Sequence, residues 1–271
     1  MIKLISLNVE GSKHWDRIDP FLDDQNADVI CLQEVFEEDL LHIEQRLRML
    51  SFFAPMTLRH YDFSDERSPY KKMGIAILSR LPILATKTQY YHAPAQELQH
   101  LDNSNEHTQD ASIWRALLSV NIDRDGETFT IATTHFTWTP DGLSRDYQYT
   151  AAHALLALLG EMPDVALCGD FNMPRGINDV YELFSKKYRD AIPASYTSSL
   201  DLTFHRAKDD PQAAEEIAKY MVDYLFLSKG YAAENVQLHS GVSDHCAIIA
   251  SLSPDDRRVV IPANARMQKE G

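Results

Sequence analysis

The chain reads as a single α/β domain. Short β-type runs recur along it, helical patterns fall between them, and no internal repeat, low-complexity linker or shift in composition marks a boundary. Its 271 residues, 44% of them hydrophobic, supply enough apolar surface for one large core.

Taken in order, "KLISLNV" (3–9) and "DVICLQEV" (28–35) are apolar runs of strand length. "FEEDLLHIEQRLRML" (36–50) spaces its apolar residues as a helix does, with acids leading and Arg trailing as the helix dipole favours. Residues 59–72, "RHYDFSDERSPYKK", concentrate Arg59, Arg67, Lys71 and Lys72 and read as a basic loop. "GIAILSR" (74–80) is the next strand; residues 92–112 are polar, lack a period and read as a long loop. Strands follow at "ALLSVNID" (116–123) and "TFTIATTHF" (128–136), then a helix at "LSRDYQYTAAHALLALLG" (143–160) with Gly160 as its expected C-cap. "DVALCGDF" (164–171), "MVDYLFLS" (221–228) and "HCAIIASL" (245–252) complete the strands, so the expected domain is 1–253, followed by a polar tail at 254–271.

Composition narrows the function classes. A formal charge of −14 opposes nonspecific attraction to a polyanion, which depends on Lys and Arg neutralising phosphates, but an acidic protein can act on phosphates when a divalent cation supplies the positive charge. No run is long enough to span a bilayer, and the opening "MIKLISLNVEG" lacks a small-residue cleavage site, so the expectation is a cytoplasmic protein without a membrane span. Cys31, Cys168 and Cys246 are odd in number, far apart and set in apolar stretches; they read as buried free thiols rather than disulfides or a zinc site.

The chemistry gathers at strand ends. "GDFNMPRG" (169–176) follows an apolar strand, and alternation predicts that Asp170 and Asn172 share a face before Met173-Pro174 blocks an immediate helix. Alone, that pair is an ordinary strand-to-loop transition. Asn8, Glu34, His135, Asp223 and Asp244-His245 stand at other strand ends, however, and charged groups are costly near a core unless they share a metal or one another.

The pieces "LNVEG" (7–11), "LQEV" (32–35), "GIAILSR" (74–80), "TTHF" (133–136), "GDFNMP" (169–174), "VDYLF" (222–226) and "SDH" (243–245) come in the order found in the endonuclease/exonuclease/phosphatase family, which the chain resembles over nearly its whole length. The resemblance implies a four-layered α/β sandwich, two packed mixed β-sheets flanked by helices. It implies a metal site at Glu34 with Asn8 and Asp244, and a catalytic set of Asp170, Asn172, His135, Asp223 and His245. Glu10 matches an acidic residue that only some members have.

Those residue types suit the chemistry. Mg²⁺, for which Mn²⁺ can substitute, prefers hard oxygen ligands and is usually held by one or two carboxylates plus substrate phosphate. Asp170 can orient or deprotonate an attacking water. Asn172 and His135 can contact the phosphate, and His245 paired with Asp223 can assist proton transfer. The expectation is a Mg²⁺-dependent phosphodiesterase acting by direct water attack, with a phosphate ester, nucleic acid foremost, as its partner and no stable protein partner implied. Arg67, Lys71 and Lys72 are the expected backbone contacts. Two other readings stand beside it: a phosphoesterase for a small or lipid-linked phosphate, and a binding protein on the same fold that has lost catalysis.

Overall fold

The computed structural model describes residues 1–255. In chain order the elements are β1 (Ile2–Asn8), α1 (Trp15–Gln25), β2 (Val29–Phe36), α2 (Glu37–Leu47), β3 (Leu50–His60), β4 (Tyr70–Ser79), β5 (Ile83–His92), α3 (Glu106–Ser112), β6 (Arg115–Arg124) and β7 (Glu127–His135). They continue with α4 (Asp146–Gly160), β8 (Ala166–Asp170), α5 (Val180–Ser185), β9 (Arg189–Asp190), a 3₁₀ turn (Arg206–Asp209), α6 (Pro211–Ile217), β10 (Asp223–Leu227), β11 (Tyr231–His239) and β12 (Ala247–Pro254). Among the described residues the strands form two six-stranded sheets, ordered β11-β12-β1-β2-β4-β3 and β5-β6-β7-β8-β10-β9. Each is mixed, with one parallel pair in its middle: β1 with β2, and β7 with β8.

Why the central strands are apolar on both faces follows from what covers them. On β1, β2 and β4, Leu4, Cys31, Ile75 and Ile77 enter the core that also holds the second sheet and α4. Their neighbours Ile5, Ile30, Leu32, Ala76 and Leu78 join Ile18, Phe21 and Leu22 of α1 and Leu40, Ile43 and Leu47 of α2 in a separate outer cluster. Each fully buried Leu or Ile contributes roughly 1.5–3 kcal/mol, so exchanging the two faces of one strand would cost many such contributions. The phase of each strand is therefore fixed, and with it the direction of every polar residue at its end.

The expected core strands are present, with ends shifted by one to four residues. Several expectations are corrected. The basic stretch 59–72 is the tip of a β3–β4 hairpin, whose strands run to His60 and restart at Tyr70. The polar stretch 92–112 ends in α3, which lacks an apolar period but carries a capping box in which Asn105 accepts from the Thr108 backbone N–H and the Thr108 hydroxyl accepts from the Asn105 N–H. Gly160 is the last residue of α4, and Glu161 is its cap. Strands β3, β5, β9 and β11 depart from the expectation; each lies at a sheet edge, and β3 carries Pro55 at a register shift, where a missing N–H is tolerated. Strand β12 extends through Pro254, and residues 256–271 of the expected tail lie outside the described residues.

Gly169 is one place where the fold requires glycine. Its φ is +144°, and a Cβ there would lie 2.0 Å from the Thr134 carbonyl oxygen of the adjacent parallel strand. Gly169→Ala is expected to destabilise the protein by about 2–4 kcal/mol, read as a lower urea midpoint at constant m. An unchanged midpoint would show that the Thr134 backbone moves aside freely.

Candidate active site

Register builds the site. His135 on β7 pairs with Asp170 on β8, and Asp170 pairs with Asp223 on β10, so the three side chains form a row across adjacent strands of one sheet. The row faces β1 and β2 of the other sheet, where Leu4 points into the inter-sheet core and Asn8, four residues on, shares its side of the strand. Further in, Gln33 donates to Ser6 on the neighbouring β1 and to Thr133 across the gap, so the space between the sheets turns polar toward this end.

Glu34 reaches the row through a backbone irregularity. Regular alternation from Cys31 would send Glu34 outward and Val35 inward, yet Val35 belongs to the outer apolar cluster. A bulge between Gln33 and Val35, with Glu34 at φ 54°, resets the phase and leaves the carboxylate at the inter-sheet end. Asn8 then joins the sheets: its amide donates to Glu34 Oε1 at 3.3 Å and to Asp170 Oδ2 at 3.0 Å. Its carbonyl oxygen accepts from the Glu10 N–H at 3.1 Å.

Asp170 is the hub. Besides Asn8, its Oδ2 lies 3.6 Å from His135 Nε2 and 3.8 Å from His245 Nε2. The expected shared strand face of Asp170 and Asn172 is corrected: β8 stops at Asp170, and Asn172 is left-handed at φ 50°. An Asx turn joins them instead, the Asn172 N–H donating to Asp170 Oδ1 at 2.9 Å while its amide donates to the Phe136 carbonyl. His245 Nδ1 donates to Asp223 Oδ2 at 2.8 Å, and the same oxygen accepts from Ser199 Oγ at 2.6 Å. Ser199 is fully buried, and its hydroxyl also accepts from the Val222 and Asp223 N–H groups; nothing in "TSSLD" distinguishes it from any other loop serine.

These contacts set distinct protonation states. Burial pushes His135 down toward neutral imidazole, outweighing the pull of Asp170 and Glu34. Burial would also lower His245, but Asp223 and Asp170 overcome it and hold the imidazolium well above the usual range. Burial raises the Asp170 carboxyl, a direction that makes it a better proton acceptor. For Glu34, burial acts upward, but Arg59, the Asn8 amide and the His245 imidazolium hold the carboxyl below its ordinary value.

A cation fits this donor set. Asp244 is raised to about 6, first by burial and then by repulsion from Glu10 and Glu34, against the pull of His245. Crowded carboxylates at a cleft are what a divalent ion relieves. Asp170, Asp223 and His245 also bring ligand atoms within 4.8 Å of one another, a grouping that could hold a metal. The short His245–Asp223 hydrogen bond occupies one nitrogen of that trio, whereas Glu34 and Asp244 line the cleft with oxygen donors.

The site opens into a cleft of about 680 Å³. One wall includes Leu101, α3 and Ile113; the other includes Leu200, the 3₁₀ turn and Ile217 to Val222. Both are tied to the loop after Trp138: Arg145 bridges Glu106 of α3 and Asp141, and the Tyr220 hydroxyl donates to the Asp141 carbonyl. Arg59, Arg115 and Arg206 line this cleft; Arg59 stacks over Phe63 and reaches Glu34 at 3.5 Å. The expected contacts Arg67, Lys71 and Lys72 are not part of the lining. They pair instead with Asp65 of the hairpin and with Glu38 and Glu37 at the start of α2. Cys31, Cys168 and Cys246 are all buried and free.

Residues 5–245 match the model of the Endonuclease/Exonuclease/phosphatase family. The chain belongs to that family. Its members are phosphoester hydrolases and generally use divalent metals. No curated protein matches the chain. Among solved structures, it is similar to an endonuclease/exonuclease/phosphatase from Bacteroides vulgatus (TM-score 0.67, 16% identity, 94% of this chain and 99% of that one). It is also similar to D. rerio TDP2 complexed with single strand DNA product (TM-score 0.62, 16% identity, covering 93% and 98%). A third is the Bacteroides thetaiotaomicron mannosyl-6-phosphatase (TM-score 0.62, 12% identity, covering 93% and 100%). At these identities the likeness is one of fold: the two mixed sheets flanked by helices are the family's α/β sandwich. No helix among the described residues is long and apolar enough to cross a membrane.

The His245 shift has a testable sign. Because its folded pKa is raised above the unfolded value of about 6.5, its stabilisation is fully present below that pH and is lost as pH rises through the folded pKa. In chelator, the stability difference between wild type and His245→Gln is expected to be largest below about pH 6.5 and to shrink on going alkaline. A difference that grew with pH would mean that His245 is held neutral.

Proposed function

We propose that the chain, as one catalytic domain over residues 1–253, hydrolyses phosphodiester bonds by direct attack of water, with Mg²⁺ or Mn²⁺ as cofactor. The observation that carries this reading is the Asp170 hub, where one buried carboxylate meets a neutral histidine, a charged histidine and the cross-sheet amide of Asn8. Glu34 and Asp244 would hold the cation, with Asn8 beside them. When bound, the ion polarises the phosphoryl group and offsets charge developing on its oxygens. Asp170 takes the proton of the attacking water. His135 and the Asn172 amide donate to nonbridging oxygens, and His245, oriented by Asp223 and Ser199, stabilises the pentacovalent charge or supplies a proton to the leaving group. An assembled set of this kind has no use in a protein that only binds.

For the substrate, we infer a nucleic-acid strand held near its end. Trp138, half-buried on the cleft, offers a face on which a base can stack, and one solved relative of this fold carries single-stranded DNA product. The two walls and the net charge of −14 fit a short segment better than a long backbone track. Arg67, Lys71 and Lys72 would enter only with a longer strand, after giving up their own acids. The limited volume of the cleft favours one second reading, a small phosphate monoester, as in the mannosyl-6-phosphatase.

Asp170→Asn and His245→Ala are expected to lower kcat by roughly 10²-fold or more. Glu34→Gln should raise the Mg²⁺ concentration needed for half-maximal rate, and excess EDTA should abolish turnover. Full activity in EDTA, or wild-type turnover by His245→Ala, would sink the mechanism. End-labelled oligonucleotides run beside nucleotides, sugar phosphates and inositol phosphates decide the substrate; faster turnover of a small monoester than of any oligonucleotide would select the second reading.

A further inference from the structure

Arg115, the first residue of β6, is one of the largest fully buried side chains of the protein, with 2% of its surface exposed, and it lines the catalytic cleft. The one hydrogen bond of its side chain among the described residues runs from Nη1 to the His135 carbonyl, at 3.3 Å. Its Nε has no partner. No carboxylate among the described residues lies within ion-pairing distance of it. The acids that act on it from further away are engaged elsewhere: Asp110 with His92, Asp170 with Asn8 and the two histidines, and Glu34 with Arg59.

An arginine that only fills space would not be left this way. Guanidinium stays protonated at any physiological pH, and a buried charge normally has a counter-ion and most of its five donors satisfied. Arg115 has neither. A second buried polar group on the same cleft shares the condition: Thr139, also 2% exposed, has a hydroxyl with no partner. The backbone oxygen that holds Arg115 belongs to His135, whose ring reaches Asp170, so the unsatisfied donors are within a few bonds of the reacting centre.

We propose that Arg115 is a phosphate anchor of the cleft, its guanidinium donating to nonbridging oxygens of the substrate phosphoryl group with the Thr139 hydroxyl donating beside it. This rests on the hydrolase reading for its substrate. The planar fork of donors matches two oxygens of one phosphate, and in a water-poor site such charge-assisted bonds are strong. The anchor explains how an acidic chain attracts an anion to a cleft whose other arginines are exposed or half-engaged: the cation is set behind His135, away from the surface acids. Phosphate supplies the counter-charge that Arg115 lacks, and the guanidinium supplies donors to the phosphate oxygens.

The test separates anchoring from turnover by using inorganic phosphate in EDTA. Wild-type protein is expected to bind it saturably by calorimetry and to melt at a higher temperature in its presence. Arg115→Met should weaken phosphate binding by about 10-fold or more, the scale of losing a hydrogen bond to a charged group, and melt no lower than wild type in phosphate-free buffer because it removes an uncompensated charge. Arg115→Lys, which keeps the charge without the fork, should bind between the two, and Thr139→Val should bind more weakly than wild type. With Mg²⁺ and bis-(p-nitrophenyl) phosphate, Arg115→Met should lower kcat/KM by about 10²-fold. Absence of phosphate binding by wild type up to roughly 100 mM, or wild-type affinity in both Arg115 variants, would overturn the anchor. The wild-type and Arg115→Lys measurements decide the matter if Arg115→Met fails to fold. Phosphate held through Arg115 by a chain that hydrolyses no ester would keep the anchor and defeat the hydrolase reading; full esterase activity in both Arg115 variants would do the reverse.

Discussion

The two hydrogen bonds donated by Asn8 tie the site together. Glu34 belongs to one sheet and Asp170 to the other, and the Asn8 amide holds both at once. Two like charges set that close would drive the sheets' polar ends apart unless a donor stood between them. The bridge is possible only because Leu4 is locked into the inter-sheet core and Asn8 must follow it in phase. The bulge at Glu34 is the second half of the same constraint, since without it the carboxylate would face the helices instead.

From that bridge the electrostatics follow. A hub carboxylate with two histidines on one oxygen could have been a symmetric arrangement, but their second contacts differ. His245 has a buried carboxylate behind it, fixed in turn by Ser199, and is held as imidazolium. His135 lies beside the Arg115 cation and is driven by burial toward the neutral form. One ring can supply a proton while the other offers only a neutral dipole to the phosphate.

The catalytic floor and the cleft walls have different origins. The floor is register on rigid central strands, which suits groups that must hold their geometry. The walls are segments around α3, the 3₁₀ turn and the end of α6, tied by Arg145 and Tyr220 to the loop after Trp138. These segments can change without disturbing Asp170.

By itself the sequence determined the α/β class, the central strands and the identities of the polar residues at their ends, because strands covered on both faces must be apolar and a charge beside them needs a reason. It did not reveal β3, β5, β9 and β11, which are edge strands covered on fewer sides and so free of the pattern that marks a strand. Nor did it reveal α3, whose start is set by a capping box rather than an apolar face. Only the tertiary structure decided that Asn172 meets Asp170 through a turn, that Ser199 stands behind Asp223, and that Arg59 and Arg115 rather than Arg67, Lys71 and Lys72 line the cleft. Those outcomes depend on register between strands far apart in the chain and on which acids each cation meets. Arg67, Lys71 and Lys72 look available in one dimension, but folding sets acids beside them, while Arg115, inside an apolar run, is buried with no carboxylate among the described residues in ion-pairing distance.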